Sequence, residues 1–414
     1  MHNHVSSMVI NKFPLKLLFI KYAKFMKIAV IGVKGLPAGQ GGIERACQEL
    51  YPRLVKLGHS VDLYARLTYT QKKSFSSYEY KGVRVIGLPS FPVKGVDAFF
   101  CSAMGSFISS FRDYDIIHFH ALGPALFSWV PRLTSSAKIV VTCHGLDWQR
   151  AKWGKLSSKL IRLGEKTGVK YADELLVVSQ YLEKYFLRTY GRKSVYIPNA
   201  PGGFASTSGN LDYLQSLELQ PQKYLLFLGR LVPEKRPDLL IKAFQKLKPE
   251  GWKLVLTGGT SNTSKYVEEL RQLSANNSDI IFTGELTGTS LAQVVRNAGL
   301  FVLPSDLEGL PLVMLEAMQE EIPVLASDIP PHKQLVGKDK GFLFQAGNLD
   351  SIVSSLKFAL LEESTRVEMA KRAKEHLVSI YNWDKIAVQN LNVYSQLVSG
   401  AIVESHKMVE TKAK

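Results

Sequence analysis

The chain is short of cysteine, of acids in one half, and of long apolar runs, and each shortage excludes something. Its three cysteines, Cys47, Cys101 and Cys143, are scattered and show no Cys-x-x-Cys spacing, so neither a disulfide framework nor a zinc site is indicated. A reducing compartment is the default for such a chain. No apolar stretch reaches the roughly 18 residues that a membrane-crossing helix needs. The N-terminal segment is not a secretory signal, because Lys16, Lys21 and Lys24 break its apolar region and no small-residue cleavage site follows. Nor is there an internal repeat, and the strict Gly-x-Gly-x-x-Gly of a dinucleotide site is missing from the first glycine loop.

The missing acids are missing from one half only. The 414 residues carry a net charge of +16. Residues 1–200 hold 29 Lys and Arg against 12 Asp and Glu, whereas residues 201–414 hold 23 against 24. All the excess lies in the first half, so the two halves are not expected to share one task. An anionic partner for the first half follows: nucleic acid, a nucleotide or an acidic membrane face. The basic residues are interrupted rather than clustered and no nucleic-acid motif accompanies them, so nucleic acid is not the expected partner.

What is present is a repeated alternation. Short β-rich apolar runs alternate with longer helical patterns, first over 27–32, 60–65, 83–88, 115–120, 138–143, 174–179 and 194–199, then over 224–229, 253–258, 279–284, 300–305 and 322–327. Several runs are apolar on both faces, as strands covered by helices on both sides must be. The reading is α/β, with two Rossmann-like, doubly wound parallel-sheet domains. The Gly-, Ser-, Asn- and Pro-rich stretch 199–222 reads as a linker or hinge between them. The divisions expected are a basic extension over 1–25, with a start at Met26 as the alternative, a first domain over 26–200, a second over 201–382, a helix over 383–400 and a polar tail over 401–414. The extension mixes apolar residues with four lysines, which also fits a short interfacial anchor.

Three loops carry the chemistry. GVKGLPAGQGGIERACQEL (32–50) places five glycines between a strand and a helix, where backbone N–H groups can approach a phosphate or a sugar. A tight turn would explain two of those glycines more easily than five. FLGRLVPEKRPDLL (227–240) sets Arg230 and Lys235 between a strand end and a helix that Pro237 starts, a pairing suited to a diphosphate. The plainer reading is a pair of surface cations neutralised by Glu234. PSDLEGLPLVMLEAMQ (304–319) puts Glu308 just before a helix and Glu316 about 8 Å further along it. An anion at that helix end would be flanked by two carboxylates able to accept hydrogen bonds from hydroxyls, as a sugar and a ribose would offer. Taken singly, Glu308 could serve only the helix dipole and Glu316 could be solvated, although Leu312, Val313 and Leu315 surround the latter with apolar side chains.

Glu-x7-Glu at 308–316, with Gly229-Arg230 and Lys235 before it, resembles the retaining glycosyltransferases of family 4, which have the GT-B fold with an interdomain cleft. GLPAGQGGIE (35–44) is similar to the donor loop of that family, and DIIHFHALGP (115–124), TCHGLDW (142–148) and IPN (197–199) resemble its other loops. The resemblance runs over about residues 26–400, in order, and is strongest to bacterial enzymes of surface-polysaccharide assembly.

The resemblance implies roles. Arg230 and Lys235 would hold the donor diphosphate, with Gly229 at the strand end. Glu316 would bind the ribose, and Glu308 the donor sugar, helped by the N–H groups of Gly309 and Leu310. Gly41 and Gly42 would close over the phosphates, and Glu285 and Leu286 would receive the base. His144 would stand near the reacting carbon. His120 and Asp147 are acceptor-side candidates, and one of His118 and His120 is expected to be core. The co-substrate would be a nucleoside-diphosphate sugar and the acceptor lipid-linked or an oligosaccharide. No cofactor and no metal are expected, because two cations already supply that electrostatic work. Other readings are a sugar-nucleotide epimerase on the same fold and a non-catalytic binding module. The basic first half implies a cytoplasmic enzyme held peripherally on an anionic membrane face.

Overall fold

The computed structural model describes residues 24–39, 41–70, 73–90, 95–150, 153–207, 209, 211–260 and 263–400. The extension 1–25, apart from Lys24 and Phe25, and the tail 401–414 lie outside the described residues. Two sheets form. The first contains β1 (Lys27–Ile31), β2 (Ser60–Arg66), β3 (Ser77–Tyr80), β4 (Val83–Leu88), β5 (Ile116–His120), β6 (Lys138–Cys143), β7 (Glu174–Val177) and β8 (Val195–Tyr196). Its order is β3-β4-β2-β1-β5-β6-β7-β8, parallel except for the antiparallel edge pair β3·β4. The second contains β9 (Tyr224–Leu228), β10 (Lys253–Thr257), β11 (Ile280–Gly284), β12 (Leu300–Leu303), β13 (Val324–Ser327) and β14 (Phe342–Phe344). Its order is β11-β10-β9-β12-β13-β14, all parallel.

Among the parallel strands both orders reverse direction once, between β1 and β5 and between β9 and β12. Open parallel sheets bind ligands beyond the carboxyl ends of their strands at such a reversal. The strands there are buried along their whole length: every residue of β5, β9 and β12 is buried. Burial on both faces explains why β9 and β12 read as continuous apolar runs rather than alternating ones, and β5 departs from this only at His118 and His120.

Strands β3 and β14 are additions to the expected set. They are four and three residues long, too short to carry a period. The stretch 199–222 includes a short helix, Asp212–Ser216, inside what reads as a linker. The last helix, Trp383–Ser399, packs on the first, Gly42–Lys56, where Arg53 Nε meets Asp384 Oδ1 at 3.0 Å. Trp383 Nε1–H donates to the Pro201 carbonyl at 3.0 Å, which ties the start of that helix to the segment between the sheets.

Candidate active site

The loops after β6 and β12 meet face to face. A side chain at Gly309 would place its Cβ 1.9 Å from the His144 carbonyl oxygen and 3.1 Å from Gly145 Cα, so only glycine allows the approach. A second contact brings in the first glycine loop: a Cβ on Gly42 would lie 3.4 Å from Leu312 Cδ1, at the start of the helix Leu312–Gln319. Gly41, with φ 119°, also leaves no room for a Cβ, which would fall 2.1 Å from Glu44 Oε2. Glu44 in turn accepts from the Lys34 backbone N–H at 3.2 Å and stiffens the loop.

On the second sheet, Gly229 directly follows β9, and Lys235 folds back beside it. Lys235 Nζ donates to Glu308 Oε1 at 2.6 Å, and Ser305 Oγ–H donates to the same oxygen at 3.0 Å. Lys235 therefore pairs with Glu308, and Glu234, its neighbour in sequence, has both carboxylate oxygens buried without a hydrogen bond among the described residues. Burial pushes the Glu308 carboxyl up, but the Lys235 ammonium, its hydrogen bond and the charge of Arg150 together hold the group below the usual carboxylate range. Burial lowers Arg230, and neighbouring Arg150 lowers it further. Arg150, from the loop after β6, makes a 2.8 Å ion pair with Asp147. Burial opposes its charge, yet the carboxylates of Asp147, Glu308 and Glu234 hold it above its ordinary value.

Glu316 is 2% exposed, which excludes a solvated role. Its Oε1 accepts from Arg45 Nη1 at 2.8 Å, across from the first helix, and its Oε2 is buried with no partner among the described residues. Burial raises its pKa, which Arg45 counteracts only in part. An unmet carboxylate oxygen costs about 1–3 kcal/mol, and a ligand hydroxyl would remove that cost. Leu310 is buried. Glu285 and Leu286 follow β11, two strands away from β9, with Glu285 exposed and Leu286 partly buried.

Behind His144 lies a buried chain of rings. His144 Nε2 is 3.0 Å from His120 Nδ1, and His120 Nε2 is 2.5 Å from Tyr51 Oη. Tyr51 Oη is 3.1 Å from His118 Nδ1, which also meets Tyr394 Oη at 2.6 Å, while His118 Nε2 meets Thr142 Oγ1 at 2.7 Å. His118 and His120 stack at 4.2 Å and are both buried, but His120 lines a small pocket together with Thr142 and His144, whereas His118 does not. Burial drives His144 down to about 4, His118 to about 3 and His120 well below the ordinary histidine value. All three are neutral near pH 7.

Sequence reading misses Arg45, Arg150, Tyr51 and Tyr394. Arg45 directly follows the glycine loop and Arg150 stands three residues after Asp147, which are weak signals. Asp113-Tyr114-Asp115, an Asp-x-Asp triplet, is remote from the cleft: Asp115 Oδ2 accepts from the Lys27 N–H at 2.8 Å and Asp113 Oδ2 pairs with Lys27 Nζ at 3.1 Å, at the opening end of β1.

Comparison with known proteins gives two family matches, each on one sheet's share of the chain. Residues 40–200 match the model described as Glycosyltransferase Family 4, and residues 213–376 that described as Glycosyl transferases group 1. The chain is 25% identical to the GDP-mannose-dependent alpha-(1-6)-phosphatidylinositol monomannoside mannosyltransferase of Mycobacterium tuberculosis, over 88% of this chain and 97% of that protein. Sucrose-phosphate synthase from Thermosynechococcus elongatus superposes with a TM-score of 0.78 at 22% identity, covering 91% of this chain and all of the other. Anabaena HepE, solved with UDP and glucose, superposes with a TM-score of 0.74 at 19% identity, covering 90% of this chain and all of the other.

Proposed function

The chain belongs to the glycosyltransferases of family 4, on the GT-B fold, and from that membership we propose that it moves a sugar from a nucleoside-diphosphate sugar to a lipid-linked or saccharide acceptor, retaining the anomeric configuration, in cell-surface polysaccharide assembly. The observation that carries the donor reading is Glu316. Its buried Oε2 has no partner among the described residues and lies on the helix that starts beyond β12, at the reversal of the second sheet. A ribose hydroxyl donating to that oxygen would leave the diphosphate near the start of the same helix, within reach of Arg230 and Lys235. The mannosyltransferase named above depends on GDP-mannose, and HepE was solved with UDP, which supports a nucleoside-diphosphate donor without selecting the base.

Breaking the sugar–phosphate bond leaves an oxocarbenium-like carbon and a nucleoside diphosphate. Arg230, Lys235 and the N–H groups of Gly309 and Leu310 would stabilise the charge growing on the leaving phosphate, with no metal required. Donor arrival would draw Lys235 from Glu308 to the phosphate and free Glu308 to hold a sugar hydroxyl. Arg150 holds Asp147 at 2.8 Å, which leaves that carboxylate a poor covalent nucleophile. Attack by the acceptor on the face the phosphate leaves, with the phosphate taking the acceptor's proton, gives retention. The lipid acceptor of the mannosyltransferase relative and the excess positive charge of residues 1–200 favour an acceptor presented at the inner, anionic membrane face of a cytoplasmic enzyme.

The test is a screen of labelled nucleotide sugars with purified protein and a bacterial lipid extract, read by mass spectrometry. Lys235→Ala and Arg230→Ala are each expected to lower transfer about 10²-fold or more. Turnover near wild type in both variants would remove the assignment. A donor epimer formed without acceptor would replace it with an epimerase.

A further inference from the structure

The helix Val96–Ser110 is built inside out. Its buried side is small and polar, with Cys101, Ser102, Gly105, Ser106 and Ser109 against the sheet. Its solvent side carries Val96, Phe99, Phe100 and Phe107, and Phe111 directly after it, exposed by 37% to 67%. These positions recur every three to four residues apart from the interval held by Ala103 and Met104, so they form one stripe along the outer face. A water-exposed helix normally shows the reverse arrangement. Contiguous apolar surface of this kind marks a docking site.

Two further helices extend the patch. Ser106 Oγ–H donates to the Phe127 carbonyl at 2.8 Å and Phe99 packs edge-on to Phe127 at 4.8 Å, which seats the helix on the turn Pro124–Phe127. Thr167 Oγ1–H donates to the Ala125 carbonyl at 2.9 Å, which seats the helix Lys155–Tyr171 on the same turn. Between them, the helix Trp129–Thr134 exposes Trp129 and Leu133. The helix Lys155–Tyr171 exposes Leu156, Leu160 and Leu163 beside Lys155, Lys159, Arg162, Lys166 and Lys170. Its one acid, Glu165, is buried, where it accepts from Trp148, Tyr185 and Tyr190. None of the five cations is in an ion pair among the described residues. Asp113, two residues past Phe111, is paired with Lys27.

Exposed aromatics beside a helix of unopposed cations match the surface of an anionic bilayer, with rings at the headgroup level and ammonium groups against lipid phosphates. No helix among the described residues is long and apolar enough to cross a membrane. The face also adjoins the cleft. The helices Val96–Ser110 and Lys155–Tyr171 begin in the loops that leave β4 and β6, and a Cβ on Gly95 would lie 3.5 Å from Trp153. We infer that this three-helix face is the surface by which the protein lies on an anionic lipid bilayer, so that a bilayer-borne acceptor enters the cleft from its rim. What the surface delivers rests on the transferase reading above; the docking itself does not.

The full chain is floated with phosphatidylcholine vesicles, with and without phosphatidylglycerol, and donor hydrolysis is followed in solution. Phe107→Ser with Phe111→Ser is expected to lower vesicle binding about tenfold or more. Lys159→Glu with Lys166→Glu is expected to abolish the preference for phosphatidylglycerol by a similar factor. Both pairs should hydrolyse donor as the wild type does. Vesicle binding unchanged by both pairs overturns the inference. So does a wild-type dimer that binds no vesicles and that the phenylalanine pair dissociates, because the face would then cover a second copy. Loss of donor turnover in the wild type would remove the transferase reading while leaving the vesicle result intact.

Discussion

His120 Nδ1 lies 3.0 Å from His144 Nε2, and that contact makes the tautomer of a cleft residue depend on a tyrosine behind it. A neutral imidazole has one N–H. If Tyr51 donates to His120 Nε2, His120 donates from Nδ1 to His144 Nε2, and His144 keeps its proton on Nδ1. If Tyr51 donates to His118 instead, each bond reverses and His144 carries its proton on Nε2. Tyr394 at 2.6 Å from His118 Nδ1 is well placed to supply that acceptor's hydrogen, which frees Tyr51 to point at His120.

Tyr51→Phe removes the link without removing a ring. His118 keeps Tyr394 and Thr142, so the fold should stand. With about one hydrogen bond's worth of orientation lost, kcat is expected to fall up to about tenfold, with donor KM unchanged. Steady-state kinetics beside a melting curve tests this. A fall in melting temperature with kcat intact would make Tyr51 merely structural.

The same histidines set an acid limit on stability. Their folded pKa values lie below the unfolded value, at about 4 for His144 and about 3 for His118, with His120 also depressed. Between about pH 6.5 and those values the unfolded chain binds more protons, so stability falls as pH falls, by up to about 1.4 kcal/mol per pH unit for each histidine. Melting temperature should therefore decline steeply below about pH 6.5, and His118→Gln should flatten the decline. An equally steep curve in that variant would place the titration elsewhere.

Parallel strands announce themselves in sequence because burial on both faces gives them unbroken apolar runs; β9 and β12 are of this kind. Strand β3, SYEY, is an edge strand with half-exposed residues, and β14 spans Phe342–Phe344; neither is long enough to show a pattern. The site is legible to the same degree. Glu316 stands out as an acid among Leu312, Val313 and Leu315, a local signal. Its partner Arg45 is 271 positions away, and no spacing rule links them. His118 and His120 share one face of β5 and look like a choice between core and function, whereas only the packing of Tyr51 and Tyr394 joins them into one chain.

Arg45 should govern the ionisation of Glu316. Burial alone raises that carboxyl, and the guanidinium at 2.8 Å restrains the rise. In Arg45→Ala the carboxyl titrates nearer neutrality, and its protonated form accepts ribose hydroxyls poorly. Donor KM should rise as pH falls in both proteins, and in the variant the rise should begin at a higher pH. Arg45→Lys should move the rise most of the way back to its wild-type position. A pH-independent rise in KM for Arg45→Ala would mean that Arg45 touches donor directly.

Gly309→Ala separates closure from folding. The new methyl carbon would sit 1.9 Å from the His144 carbonyl oxygen and 3.1 Å from Gly145 Cα, both backbone atoms of the opposing loop that cannot swing aside as a side chain could. Neither sheet's core contains this contact, so neither loses buried apolar area, and the melting temperature should stay close to wild type. The two loops must instead stand about 1 Å or more further apart to reach normal van der Waals distance. Displacing reacting groups by about 1 Å costs on the order of 10²-fold in rate. The variant is therefore expected to bind donor through the second sheet with little change, measured by calorimetry, and to lose about 10²-fold in kcat. Small-angle scattering should detect a slightly larger radius of gyration. A kcat near wild type would mean that His144 and Gly309 need not approach this closely for the reaction, and the catalytic placement of His144 would fall with it.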